Sequence, residues 1–249
     1  MRQRLPHLID YLKEVSPDAI CLQEIKCLDE AFPREEIEAL GYNIATHGQK
    51  TFNGVAILSK HPMEIERGLP GDENDAQSRF IEAVIPWGQR VLRLACVYLP
   101  NGNPVGTDKY PYKLAFMDRL IRHARERLAF EEPFVIAGDY NVIPEARDAA
   151  HPQAWVEDAL FLPPTRAKYQ ELVALGFTDA LRATTDEAGL YTFWDYQAGA
   201  WQRNNGIRID HLLLSPQAAD RLQSVVVDKA MRAKEKASDH VPIRITLKE

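Results

Sequence analysis

PFVIAGDYN, residues 133–141, is the stretch whose reading decides the fold. Phe134-Val135-Ile136-Ala137 is an unbroken apolar run, and bounded by Pro133 and Gly138 it predicts a buried strand over 133 to 138. Gly138 permits a tight turn, and Asp139 and Asn141, two apart, point the same way where the extended geometry continues. A water held between them can lose a proton to the carboxylate while the amide donates to a developing oxyanion, a division of labour suited to attack on a phosphate. Taken alone, GDYN reads more readily as a turn, because Gly, Asp and Asn are the common turn residues.

Working outward, the same arrangement recurs. Further strands are predicted at 19 to 24, 54 to 59, 79 to 85, 91 to 98, 208 to 214 and 241 to 247, and helices at 3 to 15, 34 to 39, 109 to 129 and 165 to 175. Many short strands with few helices imply packed sheets, not one doubly wound sheet. A polar group ends or interrupts each of several apolar runs: Glu24 in CLQEIK, Tyr98 in ACVYLPNG, Asp210 in GIRIDHLLLS and Asp239-His240 in ASDHVPI. A sheet scaffold presents side chains at such places.

Glu24, next to Ile20-Cys21-Leu22, needs a nearby cation, either Lys26 or a divalent metal. Asp210, flanked by Ile209 and Leu212-Leu213-Leu214, needs a hydrogen-bonded partner, and His240 or His211 is available. Asp239 beside His240 reads either as a metal ligand next to a phosphate contact or as a loop residue beside a packed histidine. Carboxylates, an amide and a histidine, without a thiolate cluster or H-E-x-x-H, fit Mg²⁺ or Mn²⁺ better than structural zinc. Such an ion completes its shell with water and substrate phosphate, so the substrate should carry phosphate.

Composition sets the bounds. The 249 residues, 45% hydrophobic and 27% charged, suit a single soluble domain spanning 1–249. Loops rich in Gly, Pro and Asp at 68 to 78, 100 to 111 and 142 to 155 interrupt that domain without forming a linker. No apolar run reaches eighteen residues, and Arg2, Arg4, Asp10, Lys13 and Glu14 occupy the place of a signal sequence, which points to the cytoplasm and away from membranes. The three cysteines form no C-x-x-C, arguing against a disulfide framework. A net charge of -6 gives no overall basic coat but leaves room for a local positive groove. Lys109, Lys113, Arg119, Arg122, Arg125 and Arg127 are expected on a solvated helix face.

In order along the chain, LQEIK, VYLPNG, GDYN, YTFWDY, GIRID and SDHVP, spread over 22 to 242, resemble the motifs of the exonuclease III family of apurinic/apyrimidinic endonucleases, within the endonuclease/exonuclease/phosphatase superfamily. The resemblance implies an α/β fold of α+β type, a four-layer α/β sandwich with two packed mixed β-sheets flanked by helices. It implies incision of duplex DNA 5′ to abasic sites and removal of nucleotides or blocking groups from 3′ ends, by a metal-dependent enzyme expected to be a monomer. Carried onto this sequence, Glu24 binds the metal, Asp139 orients or deprotonates the attacking water, and Asn141 contacts the scissile phosphate. Tyr98 acts on the same phosphate, Asp210 holds His240, Asp239 supports the metal shell, and His240 binds phosphate; Asp139, Asn141 and His240 also stand near the metal. Phe193 and Ile209, with Trp194 and Ile207, are expected to wall an apolar pocket for a sugar lacking its base. Trp194 divides evenly between that role and the core of a hairpin near Asn204-Asn205-Gly206. Lys26, Arg79 and Asn101 are expected at the DNA backbone, and Lys229, Arg232, Lys234 and Lys236 supply cations near the site.

The opening MRQRLPHLID departs from the family pattern. Leu5, Leu8, Ile9, Leu12 and Val15 mark one helix face, whereas the family opens with a strand and a W-N-V-N-S type turn before that helix. About one strand, with an asparagine that helps hold the metal, is expected to be lacking, and a start at a GTG valine codon in the place of Met1 is the suspected origin. So shortened, the chain is expected to lose stability and metal-dependent cleavage. The alternatives are a catalytically weak DNA-binding relative and a phosphodiesterase or phosphatase acting on a small or lipid phosphate.

Overall fold

The computed structural model describes residues 2–249; the expectation about what precedes Met1 falls outside them. The apolar run of PFVIAGDYN forms β7 (Phe134–Asp139), in the middle of a six-stranded sheet. Its order is β4 (Glu64–Arg67), β5 (Phe80–Trp87), β6 (Arg90–Tyr98), β7, β9 (Asp210–Leu214) and β8 (Thr178–Asp179). Only β6 and β7 run parallel. Between them lies α3 (Lys109–Leu128), the crossover that a parallel pair requires.

β7 is apolar on both faces because both are covered. Phe134 and Ile136 join Phe116, Leu120 and Tyr169 under α3 and α4 (Pro163–Ala174). Val135 and Ala137 face a second layer, in a core with Ile57, Cys96 and Leu212.

The second layer comes in two antiparallel pieces. One has the order β1 (Ala19–Gln23), β3 (Val55–Ser59) and β2 (Asn43–His47); the other pairs β10 (Leu222–Val227) with β11 (Ile243–Leu247). α1 (Leu5–Glu14) covers the outside, burying Leu8 and Leu12 against Ile20, Leu22 and Leu58. Four layers result, as expected, although the second layer is not one mixed sheet. β1 lies over β6 and β7 while β11 lies over β9, so the two inner edges do not meet.

Most element ends fall within two or three residues of the expectation. The strand expected over 208–214 begins at Asp210, because Ile207 is instead engaged in isolated bridges to Ala149 and Phe193. The helix expected over 34–39 is α2 (Glu35–Glu38), whereas the sequence reading missed β2, β4, β8 and β10, and the short helix α5 (Pro216–Ala219). β4 reads EIER and is mostly exposed at a sheet edge, where charge guards against aberrant pairing and hides the apolar alternation.

The expected solvated face of α3 needs correction. Lys113 and Arg119 are buried, and Arg127 forms an ion pair with Glu82 at 2.9 Å. Glu82, 1% exposed on β5, also bonds Arg93 at 2.8 Å and His123 at 2.6 Å. Burial pushes its carboxyl up, yet His123, Arg93 and Arg127 outweigh that and hold it below the usual range. A charge run cannot reveal that one carboxylate will gather three cations beneath a helix. Glu82→Ala leaves those cations buried without a counter-charge and is expected to cost about 3–5 kcal/mol, read as a lower urea midpoint at unchanged m-value.

Candidate active site

Register builds the site. Tyr98 pairs with Asp139 across β6 and β7, and Asp139 pairs with Asp210 across β7 and β9. Neighbours directly opposite on adjacent strands share a face, so the three side chains form a row. The row continues the face of Val135 and Ala137, looking into the second layer. Gly138 makes the approach possible: a Cβ there would stand 1.9 Å from the Val97 carbonyl oxygen. The second layer brings Glu24 just past β1 and Asp239-His240 just before β11.

Asp210 takes His240, and not His211, as its partner. His240 Nδ1 lies 2.9 and 3.1 Å from the Asp210 carboxylate oxygens, and its Nε2 lies 3.9 Å from Asp139 Oδ2. His211 is fully buried elsewhere, against the Val142 carbonyl and Arg208. Burial works against charge on His240, but Asp210, Asp139 and Asp239 outweigh it and raise its pKa to about 10. Asp139 is raised by burial, with the His240 cation opposing that rise. The pair is therefore a fixed imidazolium beside a carboxyl group with heightened affinity for a proton.

Glu24 accepts hydrogen bonds from the Tyr98 hydroxyl and from Lys26 Nζ, the latter at 2.6 Å. Burial pushes its carboxyl up, but Lys26 and Tyr98 prevail and lower it. Arg79 stacks its guanidinium 4.7 Å from the centre of the Tyr98 ring and donates to the Tyr98 carbonyl oxygen at 3.2 Å. Asn101 Nδ2 donates to Asn141 Oδ1 at 3.1 Å. The Asn141 amide in turn donates to the Leu99 carbonyl at 2.9 Å and to Asp139 Oδ2 at 3.2 Å, while its backbone N–H donates to Asp139 Oδ1 at 2.8 Å. Of the side-chain N–H groups of Asn141, one is thus engaged by the Leu99 carbonyl and the other orients Asp139.

The expected apolar wall is reduced to Phe193, whose ring lies 5.0 Å from that of His240. Trp194 is fully buried, edge-on to Trp201, with Nε1 donating to Asn204 Oδ1 at 3.2 Å; it is core, not a pocket wall. Ile209 and Ile207, at 3% and 2% exposure, pack behind Phe193 with Leu160. Lys229 and Arg232 are tied to the Trp194 segment, through Asn204 Oδ1 and the Trp194 carbonyl. Lys234 is half-buried and Lys236 is exposed.

Two contributors escaped the sequence reading. Tyr196 donates its hydroxyl to Asp239 Oδ1 at 3.3 Å and accepts from the Asp239 backbone N–H and from Arg4 Nη2, both at 2.9 Å. Lys113, fully buried, donates from Nζ to the carbonyls of Asn101 at 3.0 Å and Asn141 at 2.6 Å. Burial lowers its pKa to about 7. The only sequence signal for Lys113 was its place on α3, four residues after Lys109, and that spacing fitted an exposed face equally well.

The donors fit a hard cation by their chemistry. Glu24, Asp139 and Asp239 offer carboxylate oxygens. Among the described residues no three His, Cys, Asp or Glu side chains form a ready cage.

A carboxylate row at the rim of a layered sheet sandwich, with a fixed imidazolium beside it, defines a phosphoesterase. The endonuclease/exonuclease/phosphatase family matches residues 3–240. Exodeoxyribonuclease III of Haemophilus influenzae is 37% identical over 248 residues, covering 96% of this chain and 93% of that protein. The DNA repair nuclease APEX1 of Danio rerio is 31% identical, covering 96% and 76%. Among solved structures, a 3′ phosphatase from Neisseria bound to a product DNA hairpin superposes with a TM-score of 0.94 at 34% identity, covering 99% of this chain and 95% of that one. An AP endonuclease from Archaeoglobus fulgidus gives 0.92 at 34%, with the same coverage. The chain belongs to the exonuclease III family of AP endonucleases, a family of metal-dependent DNA repair nucleases.

A raised histidine pKa stabilises the fold fully below its ordinary value of 6.5, and the contribution is lost as pH rises through about 10. In an NMR titration, the His240 ring is expected to stay protonated beyond pH 8. Asp210→Asn removes the nearest carboxylate and is expected to move the midpoint downward; an unmoved midpoint would exclude the pairing as the cause.

Proposed function

We propose that this chain acts on duplex DNA at abasic sites and 3′ ends, with Mg²⁺ as cofactor and Mn²⁺ as substitute, as a single-domain monomer in the cytoplasm. The observation that carries the reading is the contact chain from Asp210 through His240 to Asp139, at 2.9 and 3.9 Å, beside the Glu24–Tyr98 pair.

Asp139 is the proton acceptor for the attacking water. Burial raises its proton affinity, and Asn141 fixes both carboxylate oxygens. As the water oxygen bonds to phosphorus, its proton passes to Asp139 and the bond from phosphorus to the leaving oxygen breaks. His240, held charged by Asp210, binds the phosphate and offsets negative charge as it gathers there. Tyr98 keeps its proton, since burial and Glu24 raise its pKa, and with its hydroxyl turned from Glu24 to a bound substrate it serves the phosphate as a hydrogen-bond donor. Glu24 and Asp239 would hold the Mg²⁺ ion, which when bound supplies charge neutralisation at phosphate oxygens.

Lys26, Arg79 and exposed Asn101 flank the row, where they can meet the DNA backbone. Phe193, beside His240, is the apolar surface for a sugar without its base. The Neisseria relative is a 3′ phosphatase, which makes removal of a 3′-phosphate the second activity to assay.

A duplex with one abasic-site analogue is expected to be cut 5′ to the lesion in Mg²⁺ and to stay intact in EDTA. Asp139→Asn is expected to lower the rate about 10²- to 10⁴-fold. Cleavage indifferent to that substitution would remove Asp139 from the mechanism, and turnover of a small phosphodiester with none on DNA would overturn the reading. Lys113→Met frees the backbones of Asn101 and Asn141 and is expected to reduce turnover about 10²-fold with little change in KM, measured at saturating DNA.

A further inference from the structure

Asn141 stands in the left-handed backbone region, at a φ of 47°, and from that turn its backbone N–H and one amide N–H reach Asp139. A residue other than glycine keeps such a conformation only where its surroundings hold it. Two consecutive carbonyls of the turn are held. Lys113 Nζ, on α3, donates to that of Asn141 at 2.6 Å, and His211 Nε2, on β9, lies 2.9 Å from that of Val142.

His211 takes no part in the catalytic row, although Asp210 beside it does, because successive strand residues face opposite sides of a sheet. Its imidazole is fully buried, with the Tyr140 ring at 5.4 Å and the Tyr169 ring at 5.1 Å. Its partners decide where its proton sits. Arg208 Nη1 lies 3.0 Å from His211 Nδ1, and a guanidinium has only donors, so Nδ1 accepts. The ring proton is then on Nε2, which donates to the Val142 carbonyl. Burial and Arg208 outweigh Asp179, the Val142 carbonyl and Asp148, and lower the His211 pKa to about 4, so the ring is neutral at neutral pH.

Arg208 is fixed in turn. Fully buried, it donates from Nη1 to Asp179 Oδ2 at 2.8 Å and from Nε and Nη2 to the two Asp148 oxygens at 2.7 and 3.2 Å. The Tyr169 hydroxyl donates to the same Asp179 oxygen at 3.1 Å. Apolar side chains would fill this space without the cost of burying charge. What the network supplies instead is one directed N–H at the turn.

We propose that His211 is a positioning residue for Asp139: held by Arg208 in a single tautomer, it donates to the Val142 carbonyl and so fixes the turn from which Asn141 orients the carboxylate. Lys113 and His211 then grip adjacent peptide units from α3 and from β9, and the turn cannot rotate without breaking one of them. This role rests on the reading of Asp139 as the proton acceptor, but its structural half is testable without DNA or metal.

The tautomer is read first, from the imidazole ¹H–¹⁵N correlations of the wild-type chain. A proton on Nε2 is expected, and one on Nδ1 overturns the proposal. His211→Phe keeps a ring and loses the donor, whereas His211→Gln restores an N–H and an acceptor at similar reach. In His211→Phe, exchange of the Asn141 backbone N–H is expected to quicken at least tenfold while amides of 55–59 in β3 are unchanged, and His211→Gln should return it to within about threefold of wild type. On abasic duplex DNA with Mg²⁺, kcat of His211→Phe is expected to fall about 10²-fold with KM within about twofold, and His211→Gln should recover most of the loss. His211→Asn, whose amide is one methylene short of the carbonyl, replaces the Phe variant if that one does not fold, with the same losses expected. Unchanged exchange at Asn141, quickening spread equally over β3, or a loss of kcat that glutamine leaves unrepaired overturns the proposal. If no form of the chain cuts DNA while the exchange pattern appears as expected, the functional reading fails and the hold of His211 on the turn stands.

Discussion

The register of β7 between β6 and β9 is the constraint from which the site follows. A strand buried on both faces cannot slip by one residue without turning Phe134 and Ile136 away from the helices and Asp139 away from the second layer. Hydrophobic packing thus fixes the position of Asp139 in the row with Tyr98 and Asp210. Gly138, tight against the Val97 carbonyl, lets the parallel pair continue to its last residue, so the row forms where the sheet is still regular.

Charge is then placed on charge in a controlled way. Asp139, Asp210, Asp239 and Glu24 gather at one rim, an arrangement that repels itself unless cations answer it. The answer comes from His240, raised to about 10, and from Lys26. The same device is used away from the site, where Glu82 gathers Arg93, His123 and Arg127, and where Asp148 and Asp179 hold Arg208 at 2.7 and 2.8 Å. In each case a buried charge stands among partners that satisfy most of its hydrogen-bonding capacity.

The second layer comes in two pieces, where the first is one six-stranded sheet. Helix α1 packs on β1, and its Tyr11 hydroxyl donates to Asp228, which also accepts from Arg244 of β11, so α1 bridges the two pieces above a groove that runs to the carboxylate rim.

Much of this was legible in the chain itself. Apolar runs interrupted by Glu24, Tyr98, Asp139, Asp210 and His240 located strand ends and site together, because backbone periodicity and the cost of burying an unpaired carboxylate are local properties. The six ordered motifs named the family. Other features were settled only by tertiary contact. His240 rather than His211 pairs with Asp210, Asn141 spends both amide hydrogens on Asp139 and Leu99, and Trp194 lies in the core while Phe193 reaches the site. Lys113 looked like one more cation on a helix and proved to be a buried tie between two loops. The sequence by itself determined which residue types sit at strand ends; which of them meet, and which are buried, was decided by strand register and layer packing, since burial and hydrogen-bond partnership belong to pairs of segments distant along the chain.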